Sequence, residues 1–481
     1  MNSFLLNRAQ GSIKPLDFHV AQTSHLVRLI EPSPRLRFIS TVASSGNHEE
    51  PPFDHGLNDE VVAHKAGVNV LAIDQLNGSM VSGGADPSLH FWDLESRGSE
   101  LDFLYRPIAS IDRASHESVH TRAITSISFY PFDPTPSTVL STSRDNTLKL
   151  SAIAPGEIVP AHTFHLHATP YSHSLSSHPA STLLTAVGTS DRSVRLLDLR
   201  SGLATHTLPG HDAAVLSVAW APHKPHILAS ASADNRVFIF DVRRAGTSSA
   251  IATLDMDDSV GVVTQGHSSR SNARHNTTIR QGRAHNGAVT GVRWTSNGSH
   301  IITAGQDSRL RVWNATTGAN TLVHFGPRLR NSMSSHLAER VPLILPNDLI
   351  QSGCETLLWP NFNDQDDRGE ILLLEMREGT FVKQLKVPGL MSATRRQQVG
   401  KSSALSAGRI NALAWRGNGG SGEGLELFSA HGDGTIRTWV SRVPEEGLDQ
   451  EEENELEDRK RKRDVLEEIY QGLTSSSVTF T

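Results

Sequence analysis

The chain is nearly without cysteine. Its 481 residues include one, Cys354. No disulfide can form within it, which suits a reducing compartment. Long apolar runs are also missing, and no stretch is long enough to cross a bilayer as a helix. Charge of one sign is sparse over most of the chain. The formal charge is -6, but a dense acidic run at residues 445–458 accounts for it, and the remaining body is close to neutral. A broad basic field of the kind that binds nucleic acid is therefore not implied. Hydrophobic residues make up 37% and charged residues 20%, a balance that permits a core and argues against wholesale disorder.

What is present is alternation. Residues 210–244, GHDAAVLSVAWAPHKPHILASASADNRVFIFDVRR, contain three short period-two stretches at 215–220, 227–232 and 237–242. Pro222 and Pro225 punctuate the first connection, and Asp234-Asn235 tighten the second. A Gly-His pair leads in, and Asp241 closes the third stretch. The unit recurs when the chain is aligned on Asp234, with an aromatic residue, Phe240, six positions later. Asp86 with Trp92, Asp307 with Trp313 and Asp433 with Trp439 fit the same frame. Asp191 with Leu197 and Asp145 with Ser151 fit it more weakly. The gap from Asp307 to Asp433 is about twice the usual spacing and leaves room for one degenerate unit, with strands at 341–345, 356–359, 370–375 and 380–385.

This grammar resembles the WD-repeat family, in which one unit of roughly forty to forty-five residues makes one four-stranded blade. The resemblance implies an all-β, seven-bladed WD40 β-propeller over residues 60–443, because a closed ring buries sheet faces that no single unit can bury alone. An N-terminal arm, residues 1–31, precedes it, and a charged tail, residues 444–481, follows. Residues 32–59, rich in Pro, Ser, Asn and acids, are expected to be a flexible linker. Residues 255–283 and 389–406 are expected to be long loops.

Several residue sets look like chemistry. His64, Ser82, Asp86 and Trp92 form one, and His285, Thr303, Asp307 and Trp313 another. His211, Ser230 and Asp234, and Asp433 with Trp439, form partial copies. The duplication, without any oxyanion donor loop, speaks against a catalytic triad. The family resemblance implies a structural hydrogen-bond network that locks each incoming loop to its blade, so no catalytic residue is assigned and the chain is expected not to be an enzyme. Units lacking the Trp or His, around Ser151 and Leu197, are expected to hold this network more loosely. His162, His165, His167, His173 and His178 have spacings that zinc or copper could use, but without nearby Cys or acids they read as a polar connection. Residues 417–422 satisfy G-x-G-x-x-G, yet strands at 410–415 and 425–430 flank them where a dinucleotide site needs a helix. No metal or cofactor is expected. Arg459, Lys460, Arg461, Lys462 and Arg463 are a nuclear-localisation candidate. The same segment, with Val465, Leu466, Ile469 and Tyr470, also fits a charged helix.

With chemistry set aside, function falls to surfaces. Arg243 and Arg200 stand two positions after Asp241 and Asp198. A guanidinium so placed can pair bidentately with a partner's carboxylate. An ion pair to the neighbouring blade is the other reading. This Asp-x-Arg ending resembles the box of WD-repeat substrate receptors of cullin-4-type ubiquitin ligases. Among these the chain is similar to the Cockayne syndrome group A family, over most of residues 63–326 and more weakly over 427–439. MNSFLLNRAQGSIKPL at the N-terminus shares the likeness. In that family the arm is a helix-loop-helix inserted into the cleft of a large propeller adaptor of the damaged-DNA-binding protein one type. Phe4, Leu5 and Leu6 would form its apolar knob, Gly11 would end the first helix and Pro15 would open the second. Leu16, Val20, Leu26, Val27 and Ile30 would continue a helical stripe, and Arg8 would join Phe4, Leu5, Leu6, Leu16, Arg243 and Arg200 in contacting the adaptor. Helices this short need a partner groove. The acid-poor residues 1–45 fit a mitochondrial transit peptide as the rival reading.

The resemblance implies a nuclear, cofactor-free substrate receptor acting in transcription-coupled nucleotide excision repair. Its implied partners are the adaptor and its cullin-4 RING ligase, a Cockayne group B-type ATPase and stalled RNA polymerase II. Membrane association is not implied, and direct DNA contact is left open. The alternative is a non-ligase WD-repeat scaffold in a nuclear chromatin or RNA-processing complex.

Overall fold

The computed structural model describes residues 11, 23–40, 62–74, 78–98, 102–113, 118–133, 135, 137–154, 156–176, 183–244, 249–261, 282–331, 339–345, 355–363, 368–387, 409–418 and 425–441. Their strands form seven blades. Blade one is Val68–Asp74, Ser79–Gly84, Leu89–Asp93 and Ala109–Ile111. Blade two is Ile124–Phe129, Thr138–Ser143, Thr147–Ala154 and Gly156–His165. A short parallel pairing of Gly156–Glu157 with Ala109–Ser110 joins their outer strands into one eight-stranded sheet. Blade three is Pro170–Leu175, Leu184–Thr189, Ser193–Asp198 and Leu203–Pro209. Blade four is Val215–Trp220, Ile227–Ser232, Val237–Asp241 and Ala250–Thr253.

Blade five has three strands, Val289–Trp294, His300–Gly305 and Arg309–Asn314, with an isolated bridge from Trp313 to Asn320 at its outer edge. Blade six, the degenerate unit, is Leu343–Ile344, Thr356–Asn363, Arg368–Glu375 and Phe381–Lys386, close to the expected spans. Blade seven is Ile410–Asn418, Leu425–His431 and Ile436–Ser441, and its fourth strand comes from the other end of the chain.

That fourth strand corrects the linker expectation. Ile30–Ser33 pairs antiparallel with Ile436–Ser441, from Ile30 opposite Ser441 to Ser33 opposite Thr438. Leu36–Phe38 then pairs in parallel with Phe103–Tyr105 of the segment leaving blade one. Phe38 stacks on Tyr105 at 4.5 Å between centroids and meets Trp92 and Phe428 edge-on. The docking stripe is corrected with it. Val27 and Ile30 are buried in the ring's own core and Leu26 packs against them, so they are spent on closure.

The core is divided by seam. Seven apolar clusters occupy the seven blade–blade interfaces, for example Val215, Leu228 and Phe240 of blade four against Ala186, Val194 and Leu208 of blade three. Polar bridges knit the inner strands between blades. Asn69 Nδ2 donates to Ile124 O at 2.9 Å and Asn411 Nδ2 to Val68 O at 2.7 Å. Ser217 Oγ accepts from Val292 N at 3.2 Å. The closing seam adds buried charge. Glu426 of blade seven binds Arg97 at 2.6 Å and Arg416 at 3.2 Å, and Arg416 Nη1 also donates to Leu94 O at 3.0 Å.

The geometry of the blades fixes two faces. Turns between second and third strands, together with the loops entering each inner strand, lie on one face. Turns between first and second strands and after third strands lie on the opposite face. In the first set the residue after the turn aspartate takes a left-handed backbone, at Asn146, Arg192, Asn235, Ser308 and Gly434. A side chain at Gly434 would start 2.5 Å from His64 O, so that position needs glycine for the close approach as well as for its φ of 87°.

Candidate functional site

The repeated polar sets are assembled by two short elements. A histidine lies four residues before each of four inner strands, and the hydroxyl lies on the second strand, four residues before the turn aspartate. Tight turns bring them together. In blade one, Trp92 Nε1 donates to Ser82 Oγ at 2.9 Å, Ser82 Oγ and His64 Nε2 are 2.7 Å apart, and His64 Nδ1 meets Asp86 Oδ1 at 3.2 Å. Asp86 also accepts from Lys65 N at 3.0 Å. In blade five the distances are 2.9 Å for Trp313 to Thr303, 2.8 Å for Thr303 to His285 and 2.9 Å for His285 to Asp307. In blade four His211 meets Ser230 at 2.7 Å and Asp234 at 2.9 Å, with Phe240 in the tryptophan position.

This is a directional relay, indole to hydroxyl to imidazole to carboxylate, in which each buried donor has its acceptor. Burial by itself would raise Asp86 and Asp307. The hydrogen bonds and charges of His64 and His285 outweigh it and hold both carboxyls well below the usual range.

Three blades depart from expectation. Blade two is not loose, although Ser151 replaces its tryptophan. His120 meets Ser141 at 2.9 Å and Asp145 at 3.0 Å, and Thr147 Oγ1 donates to Asp145 at 2.6 Å. The spacing of His120 before Ile124 matches the other histidines and was the available signal. Blade three replaces the set with hydrocarbon. Leu166, Val187 and Leu197 stand in the histidine, hydroxyl and tryptophan positions and are buried together in the seam with blade two. Its turn aspartate, Asp191, turns instead to Ser193 and Arg195. In blade seven the histidine comes from the second strand itself. His431 Nε2 meets Ser429 Oγ at 2.8 Å while Trp439 Nε1 donates to the same oxygen at 2.8 Å. Asp433 is held by Arg437 at 3.2 Å and by Thr435.

Arg200 and Arg243 lie in turns after third strands, on the face opposite the turn aspartates. Arg243 pairs within its own turn. Nε donates to Asp241 Oδ1 at 3.0 Å and Nη2 to Asp241 Oδ2 at 2.8 Å, with the side chain 65% exposed. The ion pair is thus within the turn and not to the neighbouring blade, the other reading of this position. The fork holds Asp241 below the ordinary carboxylate range and orients the guanidinium on the surface. Arg200 is exposed, and its backbone N donates to Asp198 at 2.9 Å. Phe4, Leu5, Leu6, Arg8 and Leu16 lie outside the described residues, as do His178, residues 419–422 and the basic cluster 459–463. His173 is buried against Ser128, and His162 approaches Gly202 O. Among the described residues no three His, Cys, Asp or Glu side chains gather as a metal site would require.

Comparison with known proteins agrees with the ring. The family model for the WD domain, G-beta repeat, matches residues 114–150, 202–241 and 276–314. WD repeat-containing protein ATCSA-1 of Arabidopsis thaliana is 29% identical over 320 residues, covering 56% of this chain and 70% of its own. Ribosome biogenesis protein ytm1 of Aspergillus fumigatus is 29% identical over 288 residues, covering 53% of each. The protein of that name in Pyrenophora tritici-repentis is 32% identical over 197 residues, 40% of this chain and 39% of its own. The chain thus spans about half of the first of these ytm1 relatives and 39% of the second. Seven closed blades, recurring polar relays and three matched repeats make this chain a WD40-repeat β-propeller.

Proposed function

We propose that the chain is a substrate receptor of a cullin-4-type ubiquitin ligase acting in transcription-coupled nucleotide excision repair in the nucleus. The ring does no bond chemistry in this reading. One face meets a propeller adaptor and the other presents the substrate. The observation that carries it is the Asp241–Arg243 fork, an exposed guanidinium held rigidly by its own turn. A preordered cation loses less side-chain entropy when a partner carboxylate or carbonyl arrives. The likeness to ATCSA-1 over 70% of that protein supports the same reading. Phe4, Leu5, Leu6 and Leu16 supply the apolar contacts of the arm, and Arg8 and Arg200 add cations to that of Arg243. A Cockayne group B-type ATPase and stalled RNA polymerase II are the remaining proposed partners.

The test is affinity purification from nuclear extract. Arg243→Glu and Phe4→Asp are each expected to remove the adaptor and cullin at least tenfold, with the ring's melting temperature unchanged. Retention of the adaptor by both variants overturns the proposal. The ytm1 likeness favours a second reading, a non-ligase scaffold in a nuclear ribosome- or RNA-processing complex. The same purification separates the two, since preribosomal proteins without cullin would identify the scaffold.

A further inference from the structure

Blade five alone has no fourth strand among the described residues. The chain begins one and abandons it. Asn314 N donates to Ala319 O at 2.9 Å and Thr321 N to Val312 O at 3.0 Å, so the outer edge of the third strand is covered as far as Val312. At Leu322 the backbone turns left-handed, with a φ of 59°, and the chain leaves that edge. Phe325 and Leu329 then enter the seam with blade six and share its apolar cluster with Trp359 and Leu372. The segment that would have finished blade five is spent on sealing the degenerate blade.

A slot of about 270 Å³ remains along the rest of the edge, toward the turn aspartate. The outward-facing positions of the third strand alternate, as Leu310, Val312 and Asn314. Among the described residues no hydrogen bond reaches Leu310 N, Leu310 O or Val312 N from the outer side. The equivalent positions elsewhere are met. In blade four Val237 O accepts from Leu254 N at 3.1 Å, and in blade one Leu89 lies opposite Ile111 of the fourth strand. Leu310 is only 4% exposed, so its free amide and carbonyl lie at the bottom of the slot. Backbone groups held there without partners are costly, and an open edge is a template for another strand.

The borders of the slot say what kind of strand fits. Met256 lines it on the side of blade four, and Leu322 and Val323 on the side of blade six. Leu322 is 66% exposed, and Val260, on the segment that follows Met256, is 71% exposed. Arg311 is already paired with Asp307 at 2.8 Å. Arg309, at the end nearest the turn, is exposed and makes no ion pair among the described residues, and the same holds for Arg283, whose carbonyl accepts from Met256 N at 2.8 Å. Asp257 is the one acid in the lining.

We propose that this edge accepts an extended, apolar and acidic peptide segment of a partner protein, which adds as the missing fourth strand of blade five. Its backbone bonds to Leu310 and Val312, and an apolar side chain fills the slot as Leu254 fills its place in blade four. A strand antiparallel to Arg309–Asn314 carries its C-terminal end to Arg309, so the acidic residues follow the apolar ones. The site is on the outer edge of the ring, apart from Arg243, and it stands whether or not the ring serves a ligase.

The test uses the purified full-length chain and a fluorescent octapeptide of alternating threonine and leucine that ends in two glutamates. Bound peptide is expected to slow amide hydrogen exchange at Leu310 and Val312 at least tenfold and to leave Val237 unchanged. N-methylation of alternate peptide amides, which blocks strand pairing and keeps the side chains, should weaken binding at least tenfold. Arg309→Glu, an exposed substitution, should weaken it as much, while Arg192→Glu in blade three, whose fourth strand is present, should not. Failure of the octapeptide to bind, absence of protection at Leu310, or equal binding of the methylated peptide overturns the proposal. Preference for a lysine-ended peptide overturns the acidic assignment. Binding that appears only after deletion of residues 262–281 assigns the slot to the chain's own loop, and self-association blocked by Arg309→Glu assigns it to a second copy; either result overturns the partner segment.

Discussion

A single hydroxyl holds each polar relay together. Thr303 Oγ1 accepts from Trp313 and serves His285, and both partners are fully buried. Thr303→Val keeps the shape and leaves two buried groups unmet, at a cost of about 1–3 kcal/mol for each. Val187 sits in the equivalent position of blade three, among Leu166 and Leu197. There the reverse change, Val187→Thr, should also destabilise by about 1–3 kcal/mol, because the new hydroxyl finds only hydrocarbon. Urea-unfolding midpoints for the mirror pair decide the matter, and a neutral result for either removes the argument. The comparison also explains what could be read from sequence. Spacing from the turn aspartate identified the full sets, because Trp and His are conspicuous at fixed offsets. His431 escaped it because its side chain reaches Ser429 from the same strand, where no offset from the inner strand applies. Blade three escaped it for a different reason. A wholly apolar replacement satisfies the same seam as well as a complete relay does, so weak resemblance to the repeat did not mean weak packing.

The strand that closes the ring carries little local signal. Residues 30–38, IEPSPRLRF, contain two prolines and no clean alternation, and their partners are distant in sequence, Ile436–Ser441 for the first strand and Phe103–Tyr105 for the second. Composition pointed to a linker, and tertiary pairing overrode it. Blade six shows the opposite case. It breaks the repeat frame, yet the unbroken apolar run of Ile371, Leu372, Leu373 and Leu374 between Glu370 and Glu375 placed its third strand correctly, because both faces of a blade are buried against neighbours. The closing element makes its own prediction. Phe38 fills a pocket walled by Trp92, Tyr105 and Phe428, so Phe38→Ala should cost about 3–5 kcal/mol. Truncation through residue 38 should lower the melting temperature sharply, whereas truncation through residue 22 spares the closing contacts among the described residues. Equal melting of the two truncated chains would mean that the ring is sealed by something else. The distinction matters for any docking experiment, because a deletion reaching Ile30 damages the propeller as well as the arm.

At the scale of the ring, buried histidines couple folding to pH. His90, His173 and His431 lie in blades one, three and seven. Burial drives His90 down to about 3, helped by His64 and Lys65 and opposed by Asp86 and Asp112. It drives His173 to about 4 with Arg293 nearby, and His431 to about 3 with Arg437 helping and Asp433 opposing. An unfolded chain binds these protons near pH 6.5. The folded ring refuses them until pH 3 to 4. Between those limits the unfolded state holds more protons, so stability is complete above pH 6.5 and falls as the pH falls. Each histidine contributes about 1.4 kcal/mol per pH unit once its unfolded form is fully protonated, which gives about 4 kcal/mol per unit for the three together near pH 5. The turn aspartates add to this only at lower pH, since their carboxyls stay ionised through that range. His285, lowered by burial, adds to the same slope, so unfolding free energies measured at constant ionic strength from pH 7.5 to 5 should drop steeply, and His90→Gln should make the drop shallower. Because the three sites lie in separate blades while the ring closes through one shared seam, the proton-linked loss should appear as a single cooperative transition. A flat profile over that interval would remove the histidine linkage, and blades that melt one at a time would show that closure does not bind the seven seams into one folding unit.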